Sequence, residues 1–134
     1  FGACYKHIKN VRTVNDWLTR DEAVVDEYNA GKLTTFLFTV NGYRGLMNMI
    51  LYVRKPRNIE RIPKNLPMLM ISGLDDPVGE YGKGVYRAYN SYHGHIDDID
   101  LRLYEDCRHE LCNELNKEEI YEEIYGWIMN HMSK

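Results

Sequence analysis

The sequence lacks the features that mark membrane and secreted proteins. It has no apolar run that approaches the ~18 residues needed to cross a bilayer, so no membrane span is predicted. The N-terminus has no basic stretch followed by an apolar one, and no secretory signal peptide is therefore expected. The chain begins with Phe1 rather than Met, which indicates a processed form or an excerpt of a longer protein.

Cysteine and excess charge are also scarce. The three cysteines, Cys4, Cys107 and Cys112, are not spaced as pairs of zinc ligands, and we expect each to be buried or half-buried. Their odd number is typical of reduced thiols in a cytoplasmic protein. The 17 Lys and Arg residues nearly balance the 20 Asp and Glu residues, and the net charge is −3. Since binding to phosphate backbones needs a basic surface, we expect no nucleic-acid partner.

The composition is that of a globular protein with one core. The chain has 134 residues, of which 44% are apolar and 28% are charged. The pattern changes near Pro63 and divides the chain into a mainly helical segment, 1–62, and an α/β segment, 63–134. In the first segment, apolar residues at helical spacing predict helices at 11–18, 21–28 and 43–53. The β-prone run 33–40 fits either a strand or an extended loop.

The second segment reads as strand, helix, strand, helix. The continuous apolar run 67–73 predicts a parallel strand buried on both faces, and a helix is expected at 80–92. Ile99, Leu101 and Leu103 alternate with polar residues, which predicts a half-exposed strand. An amphipathic helix follows Asn116. Two parallel strands are too few for a stable sheet, so the pattern predicts the end of a larger α/β fold.

Polar side chains follow both predicted strands. Asp75 and Asp76 come after the first strand, and His109 comes after the second. The carboxyl ends of adjacent parallel strands share one rim of the sheet, where ligands and catalytic groups collect. A carboxylate there can fix the tautomer of an imidazole, as in the triads of hydrolases. The same residues also suit a turn-forming aspartate and a solvated histidine, and the pattern alone leaves both readings open.

Two motifs on this rim precede a closing helix: Ile71-Ser72-Gly73-x-x-Asp76-Pro77-Val78-Gly79 and Leu103-Tyr104-Glu105-x-x-Arg108-His109-Glu110. Together they resemble the end of an α/β-hydrolase. The branch that they are similar to is that of the monoacylglycerol lipase or lysophospholipase-like serine hydrolases. An earlier stretch resembles one that those proteins carry in their cap region: Arg12-Thr13-x-x-Asp16-Trp17-Leu18-Thr19-Arg20-Asp21.

This resemblance implies a fold, a site and a reaction. The fold is the C-terminal part of an α/β-hydrolase, with two parallel strands and flanking helices, preceded by a helical cap segment. The cap covers an acyl pocket, and the candidate pocket-facing residues lie within 36–47. Asp76 matches the triad acid of the family and His109 matches its general base. The implied reaction is the cleavage of carboxylic esters such as monoacylglycerols or lysophospholipids, and it needs no metal or organic cofactor.

The nucleophile of such a triad is missing from the sequence. The serines, Ser72, Ser91 and Ser133, do not lie in the Gly-x-Ser-x-Gly elbow of this fold. Because the nucleophile precedes the acid and the base in chain order, we expect it upstream of Phe1, in an N-terminal half that this chain lacks. The chain alone is then expected to be inactive. Without its upstream neighbour, the strand at 67–72 is expected to self-associate through its bare edge.

Two other interpretations compete with the hydrolase. His93-Gly94-His95-Ile96-Asp97 matches the start of a metallo-β-lactamase motif, and two histidines near carboxylates can bind zinc. We expect a solvated loop there instead, because the position of the last histidine in that motif is Asp98. The second interpretation is a non-catalytic interaction or oligomerisation module derived from a hydrolase fold. The missing serine favours this module, whereas the presence of both Asp76 and His109 favours the hydrolase.

Overall fold

A computed structural model of the chain describes residues 4–132; the ends of the two predicted segments, 1–3 and 133–134, lie outside the described residues. Short 3₁₀ turns at Cys4–His7 and Leu111–Asn113 accompany the regular elements. In chain order, the regular elements of the described part are α1 (Glu22–Ala30), α2 (Val40–Val53), α3 (Pro56–Ile59), β1 (Met68–Gly73), α4 (Lys83–His93), β2 (Ile99–Tyr104) and α5 (Lys117–Met132).

The two strands form a parallel pair, which confirms the predicted α/β class. Their register runs from Met68 opposite Ile99 to Gly73 opposite Tyr104. Helix α4 lies between them in the chain and contacts both strands. Because Gly73 and Tyr104 are paired as the last residues of their strands, the loops that follow them leave the sheet side by side.

The core lies where α5 and the loop after β2 meet the sheet. Cys107, Leu111 and Ile120 are buried together, and Ile71 and Tyr104 of the strands pack against them. The prediction that the first strand is buried on both faces is wrong for the described part of the chain. Only the last two residues of β1 are buried, and the first four are half-buried. The exposed Cys112 also contradicts the expectation that all three cysteines are covered.

Helix α1 confirms the prediction for 21–28 and shows why it begins there. The carboxylate of Asp21 accepts hydrogen bonds from the backbone N–H groups of Ala23 and Val24, as an N-cap residue does. The helix ends at Gly31, whose N–H closes the last turn onto the carbonyl of Glu27.

The helix predicted at 11–18 is absent, and this prediction is wrong. The carboxylate of Asp16 accepts hydrogen bonds from the N–H groups of Arg12 and Thr13, at 2.6 and 3.2 Å, and thereby closes turns instead. A short polar side chain that bonds nearby backbone competes with a helix in this way. Of the two readings of 33–40, the irregular loop is correct, since turns and unstructured backbone lead into α2.

Helix α2 begins at Val40, three residues before the predicted start, because the Thr39 hydroxyl accepts a hydrogen bond from the Gly42 N–H. None of its residues is buried against the described part of the chain. Large apolar side chains that are exposed in and before this helix include Leu33, Phe36, Leu37, Phe38, Val40, Met47, Met49, Leu51, Tyr52 and Val53. No described helix is long and apolar enough to cross a membrane.

Candidate active site

Asp76 and His109 meet at the rim where both strands end. Nδ1 of His109 lies 3.1 Å from Oδ2 of Asp76, which is hydrogen-bond distance. The other carboxylate oxygen of Asp76 accepts a hydrogen bond from the Val78 N–H at 2.8 Å. Asp76 is buried, with 6% of its surface exposed, whereas the His109 side chain is 36% exposed. The carboxylate is thus held from two sides, and the imidazole lies between it and the surface.

Gly73 allows the two loops to come this close. The Leu74 N–H donates to the Tyr104 carbonyl at 2.8 Å, and the Asp75 N–H donates to the Cys107 carbonyl at 2.9 Å. A Cβ atom at Gly73 would overlap the backbone carbonyl oxygens of Cys107 and Arg108. Only glycine therefore fits at the point where the loop carrying His109 crosses the end of β1.

A left-handed turn lies between Asp76 and α4. Glu80, Tyr81 and Gly82 have φ values of 53°, 55° and 81°. The Tyr81 N–H donates to the Asp76 carbonyl at 2.9 Å, so this turn also holds the backbone of Asp76 in place. The left-handed backbone explains why α4 starts at Lys83 rather than at residue 80, where the sequence predicted it.

The chemistry of the pair follows from its hydrogen bond. A carboxylate only accepts, so Nδ1 of His109 carries the hydrogen and Nε2 is left as the basic nitrogen of the neutral ring. The hydrogen bond to Asp76 raises the pKa of His109, burial lowers it in part, and the charges of Asp76 and Glu110 raise it further. Such a pair can accept a proton at Nε2 and stabilise the imidazolium that forms.

The segment Asp16–Arg20 holds the other side of the His109 loop. The Glu110 N–H donates to the Leu18 carbonyl at 2.7 Å, and the His109 N–H donates to the Trp17 carbonyl at 3.4 Å. The guanidinium of Arg108 donates to the carbonyls of Asp16 and Thr19. No sequence pattern marks these contacts, because they join positions about ninety residues apart through single backbone atoms.

Glu114 forms the buried centre of this interface and was also missed. It is fully buried, and Oε2 lies 2.8 Å from Nε of Arg20. Oε1 accepts a hydrogen bond from the Arg108 N–H at 2.7 Å. The side-chain oxygen of Asn116 accepts a further bond from Arg20. One carboxylate thus joins the Asp16–Arg20 segment to the residue that precedes His109.

The two histidines of the competing zinc motif, His93 and His95, have other partners. Nε2 of His95 lies 2.7 Å from the Ile62 carbonyl oxygen, and the His93 ring packs against Tyr89. Within the described range, the side chains close enough together to share a metal ion are Asp98, Asp100 and His131. In this group, Nε2 of His131 lies 3.2 Å from Oδ2 of Asp98.

Neither serine of residues 4–132 lies in a nucleophile elbow. Ser72 is buried in β1, and its hydroxyl donates to the Gly73 carbonyl. Ser91 lies within α4, and its hydroxyl donates to the Arg87 carbonyl. The third serine, Ser133, lies outside the described residues.

Parallel strands with flanking helices, followed at one rim by a carboxylate and an imidazole, form the C-terminal part of an α/β-hydrolase fold. The chain belongs to the S33 serine aminopeptidase family, whose model matches residues 2–116. No curated protein sequence matches it.

The solved structures that are similar to this chain include an esterase and a lipase. One is a highly thermostable carboxyl esterase from Bacillus coagulans in complex with glycerol, with 25% identity and a TM-score of 0.80. The match covers 98% of this chain and 42% of the esterase. The other is a lipase in an open form, with 21% identity and a TM-score of 0.76, covering 88% of this chain and 39% of the lipase. The chain thus spans about two fifths of the length of these enzymes.

Proposed function

We propose that the chain is the C-terminal part of a serine hydrolase that cleaves carboxylic esters, with Asp76 as the acid and His109 as the general base of its triad. The observation that carries the proposal is the 3.1 Å hydrogen bond between Nδ1 of His109 and Oδ2 of Asp76. The bond lies at the carboxyl ends of two adjacent parallel strands, where catalytic groups of such sheets collect.

In the proposed reaction, Nε2 of His109 takes the proton of a serine hydroxyl as that oxygen attacks the ester carbonyl. Asp76 holds the ring in the tautomer with hydrogen on Nδ1 and stabilises the imidazolium. His109 then returns the proton to the leaving alcohol, and the acyl-enzyme forms. In a second step, the same Nε2 takes a proton from water as the water oxygen attacks the acyl carbonyl, and it returns that proton to the serine oxygen as the acid leaves. The raised pKa of His109 suits a base that must hold each proton between the attack on the carbonyl and the departure of the leaving group.

We propose that the serine comes from a segment outside these 134 residues. Support comes from Ser72 and Ser91, whose hydroxyls bond to backbone carbonyls within β1 and α4. The share of the esterase that this chain matches, 42%, leaves room for such a segment. The free cysteines of the described part support a cytoplasmic location.

For the substrate, we propose an ester with a long apolar chain, such as a monoacylglycerol or a lysophospholipid. The supporting feature is segment 33–53, whose exposed apolar side chains are too many for a surface that stays in water. As part of a cap over the acyl pocket, Phe36, Phe38 and Met47 would bury this surface against the acyl chain.

The test uses the full-length protein that contains this chain. We expect labelling by a fluorophosphonate probe and turnover of p-nitrophenyl esters, with longer acyl chains preferred. Asp76→Asn and His109→Gln should each lower kcat by at least about 1,000-fold. The matched control is the neighbouring exposed carboxylate, Asp75, and Asp75→Asn should keep full activity. Cleavage of amino-acid p-nitroanilides in preference to esters would replace the esterase with an aminopeptidase. Full activity of both site variants would refute the proposed roles.

A non-catalytic module is the second candidate, and the edge of β1 favours it. The sheet of the described part contains only β1 and β2, so one edge of β1 has no strand beside it there. A bare edge pairs readily with another chain. Self-association through β1 should appear in sedimentation as a mass that rises with concentration. A monodisperse monomer over the whole concentration range would contradict this pairing.

A further inference from the structure

The imidazole of His109 has an aromatic neighbour besides its carboxylate. The centroid of its ring lies 5.1 Å from that of Trp17, and the two ring planes are inclined by 49°. A hydrogen bond at Nδ1 fixes one atom of the ring but allows the ring to turn about the bond. An aromatic ring packed beside the imidazole restricts that rotation. Trp17 therefore limits a motion that Asp76 alone leaves open.

Trp17 is held in place by the same loop that it contacts. Its carbonyl oxygen accepts a hydrogen bond from the N–H of His109, and the next carbonyl, that of Leu18, accepts one from Glu110. The Arg108 guanidinium bonds to backbone on both sides of Trp17, at the Asp16 and Thr19 carbonyls. The segment that carries the indole and the loop that carries the imidazole are thus hydrogen-bonded to each other on both sides of Trp17.

We propose that Trp17 is a positioning residue for His109, which keeps the imidazole turned toward Asp76 and stabilises its protonated form through the face of the indole. This inference rests on the proposed function for its catalytic meaning. A cation within about 6 Å of an aromatic face is stabilised by the ring quadrupole, most strongly by tryptophan. Asp76 and Glu110 are both anionic and already stabilise the protonated form of His109. The uncharged indole stabilises the same form through its ring quadrupole.

The test follows the titration of the His109 ring by NMR in the 134-residue chain. Trp17→Leu removes the aromatic face, and we expect two- to fivefold weaker proton binding at His109, with a mixture of ring tautomers. Trp17→Phe keeps a face and should restore most of the proton affinity. The matched control is the other tryptophan, which packs against His131 with the ring centroids 4.0 Å apart. Trp127→Leu should leave the titration of His109 unchanged.

The outcomes separate this inference from the proposed function. An unchanged His109 titration and tautomer in folded Trp17→Leu would overturn the positioning role. If Trp17→Leu does not fold, Trp17→Phe and Trp17→Tyr decide, since both should keep the proton affinity and a loss in both would refute the role of the face. In the full-length protein, Trp17→Leu should lower kcat with little change in KM and shift the acidic limb of the pH profile to lower pH. If instead Asp76→Asn retains full turnover while Trp17→Leu still alters the titration, the proposed function fails and the ring contact stands.

Discussion

Removal of the buried carboxylate of Glu114 is the sharpest test of how the His109 loop is held. Glu114→Ala removes the carboxylate that pairs with Arg20 and accepts a hydrogen bond from the Arg108 N–H. Breaking a buried ion pair on one side costs about 3–5 kcal/mol. Arg20 retains 27% exposure of its side chain and can gain water, so we expect the lower end, about 3 kcal/mol. For a chain of this length, that corresponds to a fall in Tm of about 10 °C.

The effect should reach the site through one covalent link. Arg108, whose N–H bonds to Glu114, directly precedes His109, so a loosened Arg108 weakens the bond from His109 to Asp76. Since that bond is the largest cause of the raised pKa of His109, the variant should have a lower His109 pKa. Glu114→Gln should be intermediate, because an amide oxygen still accepts from Arg108 while the NH₂ group meets the donors of Arg20.

Thermal unfolding followed by circular dichroism gives the stability change, and NMR titration gives the pKa of His109. The control is Glu122→Ala, an exposed position in α5 that should change stability by less than about 0.5 kcal/mol. A Tm for Glu114→Ala equal to that of the control would show that the buried pair contributes nothing net. A fall in the Tm of Glu114→Ala of the expected size, together with an unchanged titration of His109, would show that the ion pair stabilises the fold without holding the site.

Three further outcomes follow from the site. Because the pKa of His109 is raised in the folded state, it adds stability that is fully present below about pH 6.5, the pKa of an unfolded histidine, and is lost as pH rises through the pKa of the folded state. Asp76→Asn should remove this pH dependence from the free energy of urea unfolding, and an unaltered dependence would contradict the linkage. Gly73→Ala should destabilise the chain by about 1–3 kcal/mol and lengthen the Asp76–His109 bond, since backbone must move; a crystal structure with both loops in place would refute the crowding. A thiol reagent should modify the exposed Cys112 at once and the buried Cys107 only on unfolding, and equal rates would show that the core around Cys107 opens.

Local patterns in the sequence predicted most of the regular elements. Helices α1, α2, α4 and α5 and strand β2 each have a periodic run of apolar side chains, and β1 has a continuous one. The errors of these predictions lie at the ends of the elements. Those ends depend on single groups, such as the Thr39 hydroxyl that starts α2 and the left-handed Gly82 that delays α4. Periodicity does not encode such groups. The 11–18 prediction failed for the same reason, since one carboxylate, that of Asp16, closes the backbone into turns.

The pairing of Asp76 with His109 followed from topology together with a resemblance, whereas their surroundings did not. Parallel strands that end together place the next residues on one rim whatever their side chains are, so the rim could be predicted without contacts. Glu114 and Trp17 act through contacts with distant segments, and a single glutamate or tryptophan leaves no spacing that marks such a contact. The resemblance assigned the segment of Trp17 to a cap region, and the structure places part of that segment against the His109 loop.

The register of the sheet links these contacts to the position of the site. Because Gly73 and Tyr104 are opposite each other, both loops begin at one level, and Asp75 reaches the Cys107 carbonyl with a 2.9 Å bond. A slip of one residue would turn every side chain of one strand to the other face and separate this bond. The core residue Cys107 sits inside the same loop, so the packing that fixes the register also fixes the loop. The Asp76–His109 distance therefore reports on the strand pairing as well as on the side chains that form it.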